Sequence, residues 1–160
     1  MAKKRKKSDT VDGNPTHNLL SKKYGKIIQS GTEVLQSLET YKTISLAPAL
    51  DIALGGGIRE GQCVVMTGDP KTGKTTTALY FAAKAQAEGK KVYYLNTEGR
   101  LTKENFRGIQ GLDIDAITIV QATDDTPIVS AETYLNVLER LIKEEEELVV
   151  IVDSTSIMVP

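Results

Sequence analysis

The sequence predicts an α/β fold in which a parallel sheet follows an N-terminal helix. From residue 62 onward, short apolar runs alternate with helical stretches, an order typical of parallel sheets with helical crossovers. The apolar runs are uninterrupted, as in strands that are covered on both faces. The chain has 160 residues, of which 40% are hydrophobic and 26% charged, so it is long enough for one domain with its own core.

Sequence composition divides the chain into three parts: a flexible basic tail (1–15), an N-terminal segment (16–46) and an α/β core (47–160). Apolar residues recur near helical spacing between Asn18 and Gln29, which predicts a short helix there. The apolar residues from Val34 to Leu46 are compatible with strand or loop. Next comes Gly55-Gly56-Gly57, which predicts a turn.

Within the core, four apolar segments are predicted as strands: Gln62–Thr67, Lys91–Asn96, Ile117–Gln121 and Leu148–Val152. A helix is expected over Lys74–Glu88, with Gly89 as its C-terminal stop. A second helix is expected to begin at Thr126 as N-cap with Pro127 in its first position.

Several classes of protein are excluded by composition. Cys63 is the only cysteine, which argues against a disulfide framework and favours a reducing cytoplasm, and its apolar neighbours predict a core position. No apolar stretch approaches the roughly 20 residues that cross a bilayer, so no membrane contact is expected. The basic run Lys3–Lys7 can attract nucleic acid, although a solvated terminus is the favoured interpretation.

A complete phosphate-binding loop motif, the Walker A pattern G-x-x-x-x-G-K-[ST], lies between a predicted strand and a predicted helix. Its residues, with the threonine that follows, are Gly68, Asp69, Pro70, Lys71, Thr72, Gly73, Lys74, Thr75 and Thr76. Glycines allow backbone N–H groups to face an anion, and the helix N-terminus adds positive potential. We expect Lys74 to reach the β- and γ-phosphates and Thr75 to ligate Mg²⁺. A glycine-rich turn that binds nothing is the disfavoured alternative.

Two carboxylates follow predicted strands and are therefore expected at the same sheet edge as the loop. Asp153 ends the last apolar run and is suited to hold Mg²⁺, directly or through water. Glu98 follows the strand at Lys91–Asn96 and could orient or deprotonate an attacking water. Spacing alone leaves open whether Glu98 has this catalytic role or only caps the next helix.

In this order the motifs resemble the RecA recombinase family. The resemblance covers roughly Leu19 to Pro160 and is carried by five stretches: "KKYGK" (22–26), "TISLAPALDIALGGGIREGQ" (43–62), "LNTEGRL" (95–101), "GLDIDAITIVQATDDT" (111–126) and "VVIVDSTSIMVP" (149–160). Walker motifs alone are widespread, whereas "LDIALGGG" and "GLDID" are more specific.

The resemblance implies a RecA-like P-loop NTPase core that acts as an ATP-dependent DNA recombinase. Such proteins form homo-oligomeric filaments on single-stranded DNA and exchange strands with duplex DNA in recombination and repair. By this resemblance the cofactors are ATP and Mg²⁺, Glu98 and Lys74 are catalytic, and Thr75 and Asp153 serve the metal. Residues 18–29 would dock on a neighbouring subunit, and Phe106 is the nearest candidate to stack on adenine.

The sequence departs from the family in three places. The loop interior, residues 69–72, differs from the usual bacterial residues, a divergence that would suit a phage-encoded member, and the stretch between Glu98 and Gly111 is one residue longer. The family also continues well past the Walker B strand, so we expect an incomplete core that alone is not a competent ATPase. The alternatives are a RecA-fold helicase or a non-catalytic fragment that docks on full-length subunits.

Overall fold

The computed structural model describes residues 14–39 and 41–157. The predicted basic tail, including Lys3–Lys7, therefore lies outside the described residues except for its last two positions. The chain forms two compact units, of which the first ends at Lys42 and the second begins at Thr43.

The described residues of the first unit form two α-helices. Helix α1 spans Pro15–Tyr24 and is followed by a 3-10 turn at Gly25–Ile27. Asn14 caps α1, because its Oδ1 accepts a hydrogen bond from the Thr16 amide at 2.9 Å, and Pro15 occupies the first turn. The predicted helix over 18–29 is thus present but begins and ends earlier.

The second helix of this unit corrects the expectation of strand or loop after Val34. Helix α2 spans Gly31–Glu39. Its start is fixed by a reciprocal pair: the Glu33 amide donates to Ser30 Oγ at 3.2 Å, and the Ser30 amide donates to Glu33 Oε2 at 2.6 Å. This capping box is a local sequence signal, S-x-x-E, that the apolar pattern alone did not reveal.

A parallel sheet of three strands forms the centre of the second unit. Strand β3 (Lys91–Asn96) lies between β4 (Ile117–Val120) and β5 (Leu148–Asp153), and it is parallel to both. The register pairs Asn96 with Asp153, so the carboxyl ends of β3 and β5 lie side by side. Parallel pairing at these three predicted segments confirms the α/β class.

Small and aromatic residues build the core between this sheet and helix α4 (Lys74–Ala87). Leu79, Ala82 and Ala85 of α4 are completely buried, and Val92 and Tyr94 of β3 belong to the same cluster. Alanines let the helix approach the sheet closely, and each large apolar side chain buried there contributes about 1.5–3 kcal/mol. The remaining helices are α3 (Pro48–Leu54), α5 (Lys103–Phe106) and α6 (Ala131–Glu144).

A small antiparallel pair, β1 (Thr43–Ile44) and β2 (Ile58–Arg59), brackets α3. Gly57 is required at its corner, because a Cβ there would lie 2.5 Å from the Ile44 carbonyl oxygen and the residue has φ +122°. Asp51 stabilises the same corner by accepting hydrogen bonds from Ser45 Oγ at 2.6 Å and from the Leu46 amide at 2.8 Å. These bonds hold the pKa of Asp51 below its usual value.

The predicted strand at Gln62–Thr67 is wrong, since residues 62–69 have no regular secondary structure. Within the described residues, β5 pairs with β3 on one side only, and no strand pairs with residues 62–67. An apolar segment with no ladder partner cannot form a strand, and its side chains stay exposed. Val65 is 78% exposed and Cys63 is also exposed, which corrects the predicted core position of Cys63.

The predicted start of the last helix is also wrong. Helix α6 begins at Ala131, and Ser130 is its N-cap, accepting from the Thr133 amide at 3.2 Å. Thr123 and Thr126 instead exchange backbone hydrogen bonds of 3.0 Å in a tight turn. Ser130 is the next residue after Thr126 whose side chain is of a type that caps helices.

Candidate functional site

The predicted phosphate loop leads directly into α4. Gly73 precedes the helix with φ +93°, a left-handed conformation that glycine adopts without strain, and Lys71 also has a positive φ of +65°. Because Gly73 has no side chain, it supplies no capping acceptor for the first helical amides. The first backbone amides of α4 therefore have no side-chain cap from Gly73, and they lie at the positive end of the helix dipole. Both properties suit the start of α4 to bind an anion.

Lys74 is folded back over this loop. Its Nζ donates to the carbonyl oxygens of Gly68 and Asp69, each at 2.8 Å. The Thr72 hydroxyl donates to the same Asp69 oxygen at 2.8 Å. Asp69, Pro70 and Thr76 are exposed. The loop therefore holds a half-buried ammonium group beside the start of α4.

The phosphate loop and the end of β5 meet through one short hydrogen bond. The Thr75 hydroxyl donates to Asp153 Oδ2 at 2.7 Å, although the two residues are 78 positions apart in the chain. The buried phenol of Tyr94 donates to the same oxygen at 2.6 Å. Burial, and then the bond to Asp153, raises the pKa of Tyr94 far above its usual value, so the phenol remains a proton donor.

Glu98 lies at the same edge and is held by the residue after Asp153. The Ser154 hydroxyl donates to Glu98 Oε1 at 2.6 Å, and the Thr97 hydroxyl donates to the Ser154 carbonyl oxygen at 2.6 Å. The amides of Thr97 and Glu98 both donate to the Asp153 carbonyl oxygen, at 3.1 and 3.3 Å. Four hydrogen bonds thus tie the ends of β3 and β5 together around Glu98.

A second contact to Glu98 comes from Arg100, whose Nη1 lies 3.4 Å from Glu98 Oε2. The arginine side chain is 82% exposed, so solvent screens this pair and it contributes little stability. Glu98 therefore has one oxygen fixed by the Ser154 hydroxyl and one oxygen near the exposed guanidinium of Arg100. A carboxylate held in this way remains accessible to a water molecule.

Phe106 stands apart from these groups. It is half-buried in α5, packs on the core cluster and lines a cavity of about 520 Å³. The other residues that line the cavity are Leu101, Thr102, Lys103, Arg107, Ile114, Ile119 and Gln121. None of them belongs to the phosphate loop. Phe106 as an adenine contact therefore stays a prediction.

The oxygen ligands at the sheet edge fit Mg²⁺. In residues 14–39 and 41–157 no group of three or more His, Cys, Asp or Glu side chains could hold a metal alone. Thr75 and Asp153 nevertheless place a hydroxyl and a carboxylate oxygen 2.7 Å apart. Mg²⁺ prefers such hard ligands and commonly takes one or two from protein and the rest from phosphate and water.

Sequence reasoning missed Tyr94, Thr97 and Ser154. A tyrosine in the middle of a buried strand was a usable signal, because a buried phenol requires a hydrogen-bond partner. Ser154 was next to the predicted Asp153, but its role depends on which strand lies beside β5.

In the described part of the chain no helix is long and apolar enough to cross a membrane.

Comparison with known proteins gives one consistent result. The family model described as RecA N-terminal domain matches residues 15–160. Among curated proteins, Protein RecA of Mycobacterium ulcerans (strain Agy99) is 34% identical over 144 residues, which is 88% of this chain and 39% of that protein. Protein RecA of Rippkaea orientalis (strain PCC 8801 / RF-1) is 31% identical over 145 residues, or 89% of this chain.

Protein RecA of Clostridium acetobutylicum (strain ATCC 824) is similar at 33% identity over 144 residues. The chain spans 39% of the length of each of these three relatives.

Proposed function

The chain belongs to the RecA family, and from that premise we propose that it is the ATP-binding part of an ATP-dependent DNA recombinase. The contact between Thr75 and Asp153 carries the proposal, because it joins the two predicted nucleotide motifs across 78 residues at 2.7 Å. Recombination and repair are the processes that the name of the relatives supports. ATP binding, ATP hydrolysis and DNA strand exchange are the activities that we propose in addition.

In this proposal the loop and the start of α4 bind the triphosphate. The Lys74 ammonium exchanges its two carbonyl partners at Gly68 and Asp69 for β- and γ-phosphate oxygens. This exchange favours the phosphates because the ammonium attracts an anionic phosphate oxygen more strongly than a neutral carbonyl oxygen. The N-terminal amides of α4 bind the same anion.

Mg²⁺, when bound, supplies neutralisation of the charge on the phosphate oxygens. Thr75 would ligate it and Asp153 would support it, directly or through water. The single hydroxyl hydrogen of Thr75 is donated to Asp153, which leaves the oxygen lone pairs of Thr75 for a cation. Both residues sit at the carboxyl edge of the sheet, where ligands bind in open α/β folds.

Hydrolysis is assigned to Glu98 as general base. A water oxygen attacks the γ-phosphorus, the bond from that phosphorus to the bridging oxygen breaks, and ADP leaves with that oxygen. Glu98 takes the proton from the water, and Ser154 keeps the carboxylate oriented through its bond to Oε1. General bases of this kind contribute typically 10²–10⁴-fold to the rate.

Single-stranded and duplex DNA and further copies of the protein are the proposed partners. Assembly into a filament through the N-terminal helix, here α1, is the proposed mode of oligomerisation. The family model begins at residue 15, so it includes all of α1, which supports a role of this helix that is shared with the family.

The test is nucleotide binding, ATP hydrolysis and DNA strand exchange by the full-length natural protein, with and without single-stranded DNA. The proposal expects Mg²⁺-dependent ATP binding and DNA-stimulated hydrolysis. Translocation with duplex unwinding but no strand exchange would favour the helicase alternative. Binding to full-length subunits without any nucleotide binding would favour the non-catalytic docking alternative.

A further inference from the structure

Tyr94 is a buried residue whose phenol ends at the proposed nucleotide site. It lies in the central strand β3, is completely inaccessible to solvent, and belongs to the core cluster. Its hydroxyl nevertheless donates to Asp153 Oδ2 at 2.6 Å. A phenylalanine would fill the same core volume, so the hydroxyl is the only part of this side chain that the packing does not require.

The Asp153 carboxylate is oriented by two hydroxyl donors that meet on one oxygen. Thr75 donates to Oδ2 at 2.7 Å and Tyr94 donates to it at 2.6 Å. A carboxylate has about four acceptor positions on its two oxygens, so these bonds occupy one oxygen and leave Oδ1 for another partner. The main chain of Asp153 is fixed as well, through the amides of Thr97 and Glu98.

We propose that Tyr94 is a positioning residue, which holds the Asp153 carboxylate in the orientation that accepts a divalent cation with its nucleotide. This inference rests on the proposed function. A neutral donor is suited to the task because it fixes the carboxylate without cancelling its charge. A lysine or arginine in its place would neutralise Asp153 and repel the cation.

A purely structural role makes a different prediction. In that role Asp153 only satisfies the hydrogen-bonding need of a buried phenol, and removal of the phenol oxygen lowers stability without changing cation affinity. In the positioning role, removal of the oxygen weakens cation affinity, because partners that orient metal ligands typically change it by 10–100-fold when mutated.

The experiment is a Mg²⁺ titration of the full-length natural protein with a fluorescent, non-hydrolysable ATP analogue. Tyr94→Phe is expected to raise the Mg²⁺ concentration at half-maximal binding about tenfold. Affinity for the analogue in EDTA should stay within about twofold of wild type, since the Tyr94 hydroxyl donates its hydrogen to Asp153 and so does not donate to a phosphate. Tyr134→Phe is the matched control: Tyr134 is 4% exposed, and its hydroxyl lies 3.5 Å from the Asn96 carbonyl oxygen and not at Asp153.

Asp153→Asn separates failure of the inference from failure of the proposed function. If Asp153→Asn shifts the Mg²⁺ midpoint and Tyr94→Phe does not, Tyr94 has only a structural role and the inference is overturned. If wild type shows no Mg²⁺-dependent binding, or Asp153→Asn leaves it unchanged, the proposed site is wrong and the inference fails with it. In the Asp153→Asn background, Tyr94→Phe should add no further shift.

A thermal melt would reveal whether Tyr94→Phe folds. If it does not fold, a measurement on the wild-type protein tests the inference instead. With ¹³C-labelled tyrosine, the ring resonance of Tyr94 should move when Mg²⁺ is added to the analogue-bound protein. The Tyr134 resonance should stay in place. An unmoved Tyr94 resonance, in protein shown by fluorescence to bind Mg²⁺ and analogue, overturns the inference.

Discussion

The acidic residues at the two ends of the central sheet have different kinds of partner. At the carboxyl end, Asp153 and Glu98 accept hydrogen bonds from the neutral hydroxyls of Thr75, Tyr94 and Ser154. At the amino end, carboxylates are paired with lysines: Lys90 with Glu60 and Glu147, and Lys91 with Glu145. The side chain of Lys90 is only 8% exposed.

This difference separates a site for binding from a site for stability. Lysine offsets the charge of a carboxylate, so at the amino end two lysines partly neutralise three carboxylates, and the pairs with Glu145 and Glu147 tie β3 to the turn before β5. Hydroxyl donors fix a carboxylate but leave its charge, so Asp153 keeps its negative charge beside the phosphate loop. In the described part of the chain, Asp153 forms no ion pair with lysine or arginine. Mutations at the two ends should accordingly change different observables.

The largest effect is expected from Lys74→Ala in the full-length natural protein. The change removes the ammonium that is proposed to contact the transferring phosphoryl group, so ATP turnover should fall at least about 10²–10³-fold. Lys71→Ala is the matched control in the same loop and should have a much smaller effect. Steady-state hydrolysis with and without single-stranded DNA measures both. Near-normal turnover of the Lys74 variant would contradict the proposal that the carboxyl end of the sheet binds and hydrolyses ATP.

Glu98→Gln should suppress hydrolysis about 10²-fold or more while nucleotide affinity stays near that of wild type. The amide keeps the shape of the side chain and still accepts from Ser154, but it cannot take a proton. Single-turnover hydrolysis and an affinity titration separate the two quantities. Glu104→Gln, at an exposed position of α5, is the control and should leave both unchanged. Loss of affinity along with rate would make Glu98 structural.

Ser154→Ala should lower the hydrolysis rate about tenfold with little change in KM, because Glu98 loses the donor that orients its Oε1. Ser154→Thr keeps a hydroxyl and should restore most of the rate. Ser156→Ala is a nearby control, since the Ser156 hydroxyl is not among the donors to Glu98. Equal rates for the alanine and threonine variants of Ser154 would show that the hydrogen bond to Glu98 has no catalytic consequence.

At the amino end, Lys90→Met should lower the free energy of unfolding by about 1–2 kcal/mol, because it removes the largely buried ammonium that pairs with both Glu60 and Glu147. The Mg²⁺ midpoint for nucleotide binding should not change. Lys91→Met removes a pair whose lysine is 60% exposed and screened by solvent, so it should lower the free energy of unfolding much less than Lys90→Met. Chemical denaturation measures both variants. A shifted Mg²⁺ midpoint in the Lys90 variant would contradict the separation of the two ends.

The smallest effect concerns pH. Hydrogen bonds from Lys91 and then from the Tyr93 hydroxyl lower the pKa of Glu145 in the folded protein. A lowered folded pKa means that the stabilisation is present above the unfolded pKa of about 4.3 and is lost as pH falls through the folded value. Glu145→Gln should therefore show a weaker loss of stability than wild type between about pH 5 and pH 3. Parallel denaturation curves for the two proteins would contradict this assignment.

The sequence determined what depends on local chemistry. The positions of β3, β4, β5 and α4 followed from apolar runs and a glycine stop, because burial and backbone conformation select residues along a continuous segment. Gly73 before α4 followed from the loop motif in the same way. The candidate residues Lys74, Thr75, Glu98 and Asp153 were identified because each occupies a motif or a strand end.

Tertiary structure decided what depends on neighbours. Residues 62–67 have the composition of a buried strand, yet a strand exists only where another strand takes its hydrogen bonds, and none of the described strands does so. The convergence of Tyr94 and Thr75 on one Asp153 oxygen depends on the parallel register of β3 and β5 and on the packing of α4 against them. A linear pattern cannot specify such contacts, because it contains no distances between residues that are far apart in the chain.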